Sequence, residues 1–183
     1  MGLITSFTFI TLNGFFEGVQ KGDIGWHKHG SEEGEFASES AQSNNTLLFG
    51  RITYGHMASW WPTPQALQST PALARSMNES DKIVFSNTMT SADWQNTTVM
   101  GGDIISKVKT LKQDKNMTIL GSGSILTLFS EHRLIDEYQF MLDPVAIGGG
   151  STLFQGLTKQ LDLQLVSSRQ FKSGVILLNY KPL

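Results

Sequence analysis

Cysteine is absent from the 183 residues. Its absence excludes disulfides, thiolate–zinc sites and cysteine nucleophiles, and it is compatible with a reducing, cytoplasmic setting. Long apolar runs are also lacking: a membrane-spanning helix needs about 20 apolar residues, and no such stretch occurs. The opening MGLITSFTFITLNGFF has no basic leader and reads as a strand rather than a signal peptide. Basic clusters are missing as well. With a formal charge of −2, nothing points to nucleic acid or an anionic membrane as a partner. An apolar share of 39% against 16% charged residues is that of an ordinary globular protein with a core to bury. Residues 1–183 read as one domain, without a repeat, a low-complexity tract or a linker.

What is present centres on Met117–Phe129, MTILGSGSILTLF. It reads as a short apolar strand, a glycine turn at Gly121-Ser122-Gly123, and a helix opening at Ser124. The free N–H groups and dipole of a helix start favour an anion. Gly121 and Gly123 carry no side chain to hold a phosphate off the backbone. Ser122 and Ser124 can cap the helix or donate to a phosphate oxygen. The stretch therefore reads as a pyrophosphate cradle for a nucleotide cofactor. The full G-x-G-x-x-G fingerprint fails, because Leu126 stands at its third position. Such turns also arise simply where a chain reverses between strand and helix.

Other segments supply the frame. Ile4–Leu12 is a strand with apolar groups on both faces, as expected at a sheet centre, and Asn13-Gly14 breaks it. Phe15–Gly30 reads as a long loop, aromatic in part, and a length of that kind suggests a functional lid. His27 and His29 lie in it, but no third ligand follows at usable spacing, so no metal is expected. Ser31–Ser43 starts like a helix with Glu32 and Glu33 in its first turn. Thr46–Phe49 is a second strand, stopped by Gly50. Arg51 then opens a helix with a cation where the dipole disfavours one, and such local conflicts concentrate at functional sites. A surface pairing with any carboxylate would explain it equally. Ser59–Pro64 reads as a loop. Thr70-Pro71 starts a helix. Lys82–Phe85 and Thr97–Met100 are further strands, and Asp103 caps a helix carrying Ile104, Val108 and Leu111.

Strand and helix alternate from Thr46 to His132, which argues a parallel sheet with helices on both faces. Right-handed crossovers line the strand C-termini along one edge, where ligands bind in such sheets. Gly50-Arg51, Ser86-Asn87 and Gly121–Ser124 should meet there. Ile135–Leu142 then alternates as a strand, Gly148–Gly150 is a loop, and Leu161–Arg169 with Val175–Tyr180 forms a hairpin that adds antiparallel edge strands.

Taken together, FTFITLNGFFEG, LLFGRITYGHM, KIVFSNT, ILGSGSILTLF and IDEYQFMLDPVAIGGGSTLF resemble, in that order and over nearly the whole chain, the dihydrofolate reductase-like family. The likeness is to the branch holding the reductase domain of riboflavin biosynthesis and its stand-alone relatives. The resemblance implies a three-layer α/β fold and an NADPH-dependent oxidoreductase that passes hydride to a small pterin- or pyrimidine-like molecule. It implies that Gly50, Arg51 and Thr53 meet the cofactor's phosphates and that Ser86 lies by the adenosine ribose. It places Gly121, Ser122, Gly123, Ser124 and Ile125 at the pyrophosphate and nicotinamide side, and Asn13-Gly14 beside the nicotinamide. Many members carry an arginine where this chain has Asn87, which leaves Arg51 as the main candidate for the 2′-phosphate. Folate enzymes use a carboxylate on the first helix as a proton source. Glu35 is the candidate here, with Glu33 beside it; the alternative is that both are solvated charges. The zinc deaminase partner domain is excluded by the missing cysteines.

The resemblance also implies a homodimer, with VILLNY contributing. Phe15, Phe16 or Trp26 would exclude water from the ring. Trp60 and Trp61 are candidates for an aromatic wall, for core packing or for a dimer contact. The alternative function is a nucleotide- or flavin-binding protein of the same fold without turnover.

Overall fold

The computed structural model describes residues 1–28, 30–41 and 44–183. In chain order the elements are β1 (Ile4–Thr11), β2 (Phe15–Glu17), α1 (Ser31–Ala41), β3 (Thr46–Gly50), α2 (Arg51–Trp60), α3 (Pro64–Ser69), α4 (Pro71–Glu79) and β4 (Lys82–Phe85). Then come β5 (Thr97–Met100), α5 (Ile104–Leu111), β6 (Met117–Leu120), α6 (Gly123–Glu131), β7 (Glu137–Asp143), β8 (Ser151–Thr152), β9 (Leu163–Gln170) and β10 (Ile176–Pro182). The fold is α/β. Eight strands form one sheet in the order β5-β4-β3-β6-β1-β7-β10-β9. The ladder from β5 to β7 is parallel throughout. β10 and β9 close one side antiparallel.

Alternation along the strands splits the core between the two faces. Leu48 of β3 turns towards Val108 of α5 and Leu126 and Phe129 of α6. Its neighbours Leu47 and Phe49 turn the other way, to Tyr54 of α2, Met77 of α4 and Trp94. Phe7 and Phe9 of β1 face Phe36 of α1 and Phe171. Burying a side chain such as Phe129 contributes about 2–3 kcal/mol, so this packing fixes both helical layers. At β1 the same alternation sends aromatic residues to one face and Ile4 and Ile10 to the other. That explains a central strand that is apolar on both sides.

Three expectations change. Phe15–Gly30 is not irregular throughout: its start is β2, which pairs antiparallel with β8 in a small second sheet. Ser59–Pro64 is not one loop. α2 runs through Trp60, and Thr63 caps α3 by accepting the Ala66 N–H at 3.2 Å. The VILLNY strand is not at an edge, because β10 lies between β7 and β9 and its backbone is paired on both sides. The edge on that side is β9, where Leu165 and Val166 stand 49% and 56% exposed, and β5 is the opposite edge. His29 and the expected helix end at Ser43 fall outside the described residues.

Candidate cofactor and substrate rim

The parallel register carries the chemistry-bearing turns to one rim. Leu48 pairs with Ile119 and Gly50 with Phe85, so the turns after β3, β4 and β6 follow one another at the strand spacing of about 4.8 Å. Gly50-Arg51, Ser86 and Gly121–Ser124 therefore lie along a single edge. A direct bond ties two of them: the Gly50 N–H donates to Ser122 Oγ at 3.1 Å, in a buried position. This bond occupies the serine oxygen that would otherwise cap α6. Ser122 is the N-cap of α6 yet makes no side-chain cap bond, and it sits in the left-handed region at φ 63°. Gly121 before it has φ +60°, a conformation glycine adopts without cost. The Gly121 N–H itself donates to Phe7 O at 3.0 Å, so the N–H groups left for an anion are those of the α6 start.

α2 is also uncapped. Gly50, its N-cap, has no side chain to offer, and no acidic residue lies in the first turn. Thr63 caps α3 and Asp103 caps α5, while Thr70 before α4 makes no side-chain cap bond. So two neighbouring helix starts leave their first N–H groups without side-chain acceptors, and Arg51 stands exposed at one of them. It pairs with no carboxylate among the described residues, so the surface-pairing explanation fails. Thr53 is one turn along, its methyl 3.7 Å from where a Cβ would stand on Gly121. Ile125 is buried in the core, which leaves only its N–H for a ligand; Ser124 is exposed. The residues present thus fit a phosphate-bearing group.

Ser86 and Asn87 are engaged locally. Ser86 Oγ accepts the Met89 N–H at 3.0 Å and the Thr88 N–H at 3.2 Å. Asn87 Oδ1 accepts the Gly102 N–H at 2.8 Å and so joins the turns after β4 and β5. Asn87 therefore makes a neutral tie between those two turns.

Further along the rim, the segment after β1 is strapped to the segment after β7. The Asn13 amide donates to Ile147 O at 2.8 Å and accepts the Ile147 N–H at 3.2 Å, beside Gly14 at φ +86°. Glu17 is buried, binds Lys21 Nζ at 2.8 Å and accepts the Gly22 N–H at 2.8 Å. Partial burial pushes the Glu17 carboxyl up, but Lys21, the Gly22 N–H and Ser151 together hold it below the usual range. Phe16 packs onto the start of α6, where a Cβ on Gly123 would come 2.6 Å from its ring. The space left by Gly123 is therefore filled by an aromatic ring, a use that the phosphate reading of that glycine did not include. Between the two straps lies a cavity of about 620 Å³ bordered by Val19, Trp26, Ile147 and Gly149. Trp26 Nε1 is buried without a hydrogen-bond partner among the described residues.

Other candidates fall elsewhere. Glu35 is exposed on α1. Glu33 is not solvated: it is buried and accepts the Ser173 hydroxyl of the β9–β10 turn. Burial of α1 against that turn overrode the expectation for a first-turn charge. Trp60 and Trp61 lie at the far end of α2 from its start at the rim. Trp61 packs in the core beside Tyr54 and Met77, and Trp60 is exposed, so neither walls the site. The sequence reading missed Asp143, taken as a turn residue before Pro144. It is fully buried, and its Oδ2 lies 2.7 Å from His27 Nδ1. Only its place at a strand's C-terminal end hinted at more.

Sheet order, antiparallel side and rim define a dihydrofolate reductase-like protein. The model of the RibD C-terminal domain matches residues 3–177, and the chain belongs to that family. It is 28% identical over 173 residues to the uncharacterized Bacillus subtilis (strain 168) protein YyaP, covering 93% of this chain and 90% of that one. Among solved structures, a Shewanella sp. PV-4 protein named for riboflavin biosynthesis superposes with a TM-score of 0.77 at 20% identity, covering 99% of both chains. Dihydrofolate reductase from Enterococcus faecalis, complexed with NADP(H), superposes at 0.67 with 17% identity, covering 99% of this chain and 96% of that one.

Proposed function

We propose that the protein is an NADPH-dependent reductase, a single domain acting on a small heterocyclic, pterin- or pyrimidine-like substrate. One observation carries the reading. Two adjacent helix starts lack side-chain caps, and beside them on the rim of a parallel sheet stands Arg51, which pairs with no carboxylate among the described residues. Anions settle at such starts, and a guanidinium binds phosphate bidentately. Arg51 would take the 2′-phosphate, and Gly50 and Thr53 would line its side of the cradle. The N–H groups of Gly123, Ser124 and Ile125, with Gly121 and Ser122, would hold the pyrophosphate. Ser86 would border the adenosine ribose, and Asn13-Gly14 the nicotinamide end. Bound NADPH supplies the hydride. The chain's own task is to orient the two reactants and exclude water, with Phe16 and Trp26 walling the reacting end. With Glu33 bound to Ser173 and Glu35 in solvent, the substrate's proton comes from water.

The engagement of Glu33 and the solvent position of Glu35 also favour a second reading, a nucleotide- or flavin-binding protein without turnover. Consumption of NADPH with a panel of pteridine, pyrimidine and quinonoid acceptors separates the two. A ligand at about 100 times its dissociation constant adds about 2.7 kcal/mol of stability. A melting temperature unmoved by millimolar NADPH would sink the reductase reading, and one unmoved by flavin as well would sink both. A homodimer through the exposed β9 edge belongs to the same proposal, with sedimentation as its check.

A further inference from the structure

The buried pair at the far end of the rim has no part in the cofactor cradle. His27 Nδ1 lies 2.7 Å from Asp143 Oδ2, and the two side chains are 2% and 0% exposed. The other carboxylate oxygen accepts the Lys28 N–H at 2.8 Å. The His27 ring is stacked on Phe9 with centroids 3.7 Å apart, and Trp26 stands edge-on to it. Asp143 is the last residue of β7 and lies in register with Thr11, the last of β1. Burying a carboxylate and an imidazole is costly unless each is paired, so a pair kept here must repay that cost through the geometry it imposes.

That geometry concerns the segment from Phe15 to Lys28. Its first part rests on α6 through Phe16 and Gly123, its middle touches α2 where His56 packs on Gly22, and its end is pinned by Asp143. It thus spans the rim from the cradle to β7 and carries Trp26 to the wall of the cavity. Before Trp26 the segment is held by backbone pairing with β8, by the packing of Phe16 and His56, and by the exposed Lys21–Ser151 bond. After Trp26 the attachment is the buried Asp143.

We propose that His27 and Asp143 are a positioning pair for the hydride acceptor: together they fix the 18–28 segment, and with it the Trp26 wall, at the reacting end of the rim. The proposal rests on the reductase reading. Asp143 acts through His27 and the Lys28 amide. It orients the wall against which the acceptor lies and leaves the grip on the cofactor to Arg51 and the helix starts.

The test uses the intact protein and two readouts. Trypsin cleavage after Lys28, followed by mass spectrometry, reports the hold on the segment without any substrate. Steady-state kinetics with an accepted substrate reports the positioning. Asp143→Asn keeps an acceptor for Lys28 and removes the charge; His27→Phe keeps the stacking on Phe9 and removes the donor; His27→Asn restores an N–H near the Nδ1 position. Asp143→Asn and His27→Phe should each speed cleavage after Lys28 at least tenfold. They should raise the acceptor KM and lower kcat/KM by about 10–100-fold, with NADPH affinity within twofold of wild type. His27→Asn should recover most of the loss, and the double variant should be no worse than either single one, as for residues that act as a unit. Unchanged cleavage, loss through NADPH affinity alone, or multiplicative effects in the double variant would overturn the proposal. The cleavage readout decides the pair's hold even if the wild-type protein reduces nothing, a result that would remove the reductase reading by itself.

Discussion

At the N-terminal ends of the strands, polar groups find partners inside the protein; at the C-terminal ends, several do not. Lys82, at the start of β4 and 1% exposed, donates to the carbonyls of Met77, Asn78 and Ser80 and lies over the Trp94 ring. Lys112 donates to Leu134 O and Asp136, and Asp136 in turn accepts the Ile4 N–H, so one network closes the starts of β1 and β7. At the other end, among the described residues, Arg51 lacks a carboxylate, α2 and α6 lack side-chain caps, and Trp26 Nε1 lacks a partner. The strand starts are thus closed by internal bonds, although Ser6, Thr8 and Asn179 in mid-strand each keep a buried side-chain oxygen without a partner among the described residues. The rim leaves its helix starts open, where a charged ligand would complete them. Open helix N–H groups with an exposed guanidinium beside them suit an anion.

The comparison can be broken first at Arg51. Arg51→Gln should weaken NADPH binding about 100-fold, or about 2.7 kcal/mol, and leave the melting temperature within about a degree. Calorimetric titration measures the first and a thermal melt the second. A variant that loses stability but keeps its affinity would make Arg51 an ordinary structural residue.

Lys82 should behave in the opposite way. Lys82→Met strips three carbonyls of their donor and should cost about 2 kcal/mol, with NADPH affinity unchanged. Burial pushes the Lys82 ammonium down to about 8, with Asp81 opposing. Between that value and the unfolded lysine value of about 10.4, the unfolded chain holds a proton that the folded one has released. Stability contributed by this group therefore rises with pH across the window. Denaturant melts of wild type from pH 8 to 10 should show the rise, and the methionine variant should lack it.

A smaller change sharpens the contrast at the rim itself. Ser124→Asp places a carboxylate at the start of α6, which should raise the stability of the free protein by about 0.5 kcal/mol through the dipole. It should also weaken NADPH roughly tenfold through competition and repulsion. Equal or tighter binding in that variant would argue against a phosphate at α6. Smallest is Asp103→Ala, which removes the side-chain cap of α5, a helix away from the proposed cradle. It should cost about 1 kcal/mol and leave NADPH affinity untouched.

Chain order and local chemistry sufficed for most of the architecture. Alternating strands and helices, the glycine turns that end β3 and β6, and Asp103 as a cap are all local signals. A parallel sheet then has few ways to arrange them, so the rim carrying Gly50, Arg51, Ser86 and Ser122 could be laid out before any coordinates were known. Long-range contacts decided the rest. That β10 is interior depends on β9 pairing outside it. That Ser122 serves Gly50, Gly123 makes room for Phe16, and Glu33 is buried against Ser173 depends on partners 72, 107 and 140 residues away. His27 and Asp143 are 116 residues apart, each unremarkable in its own neighbourhood. Only the closing of β7 onto β1 brings them within reach of one another.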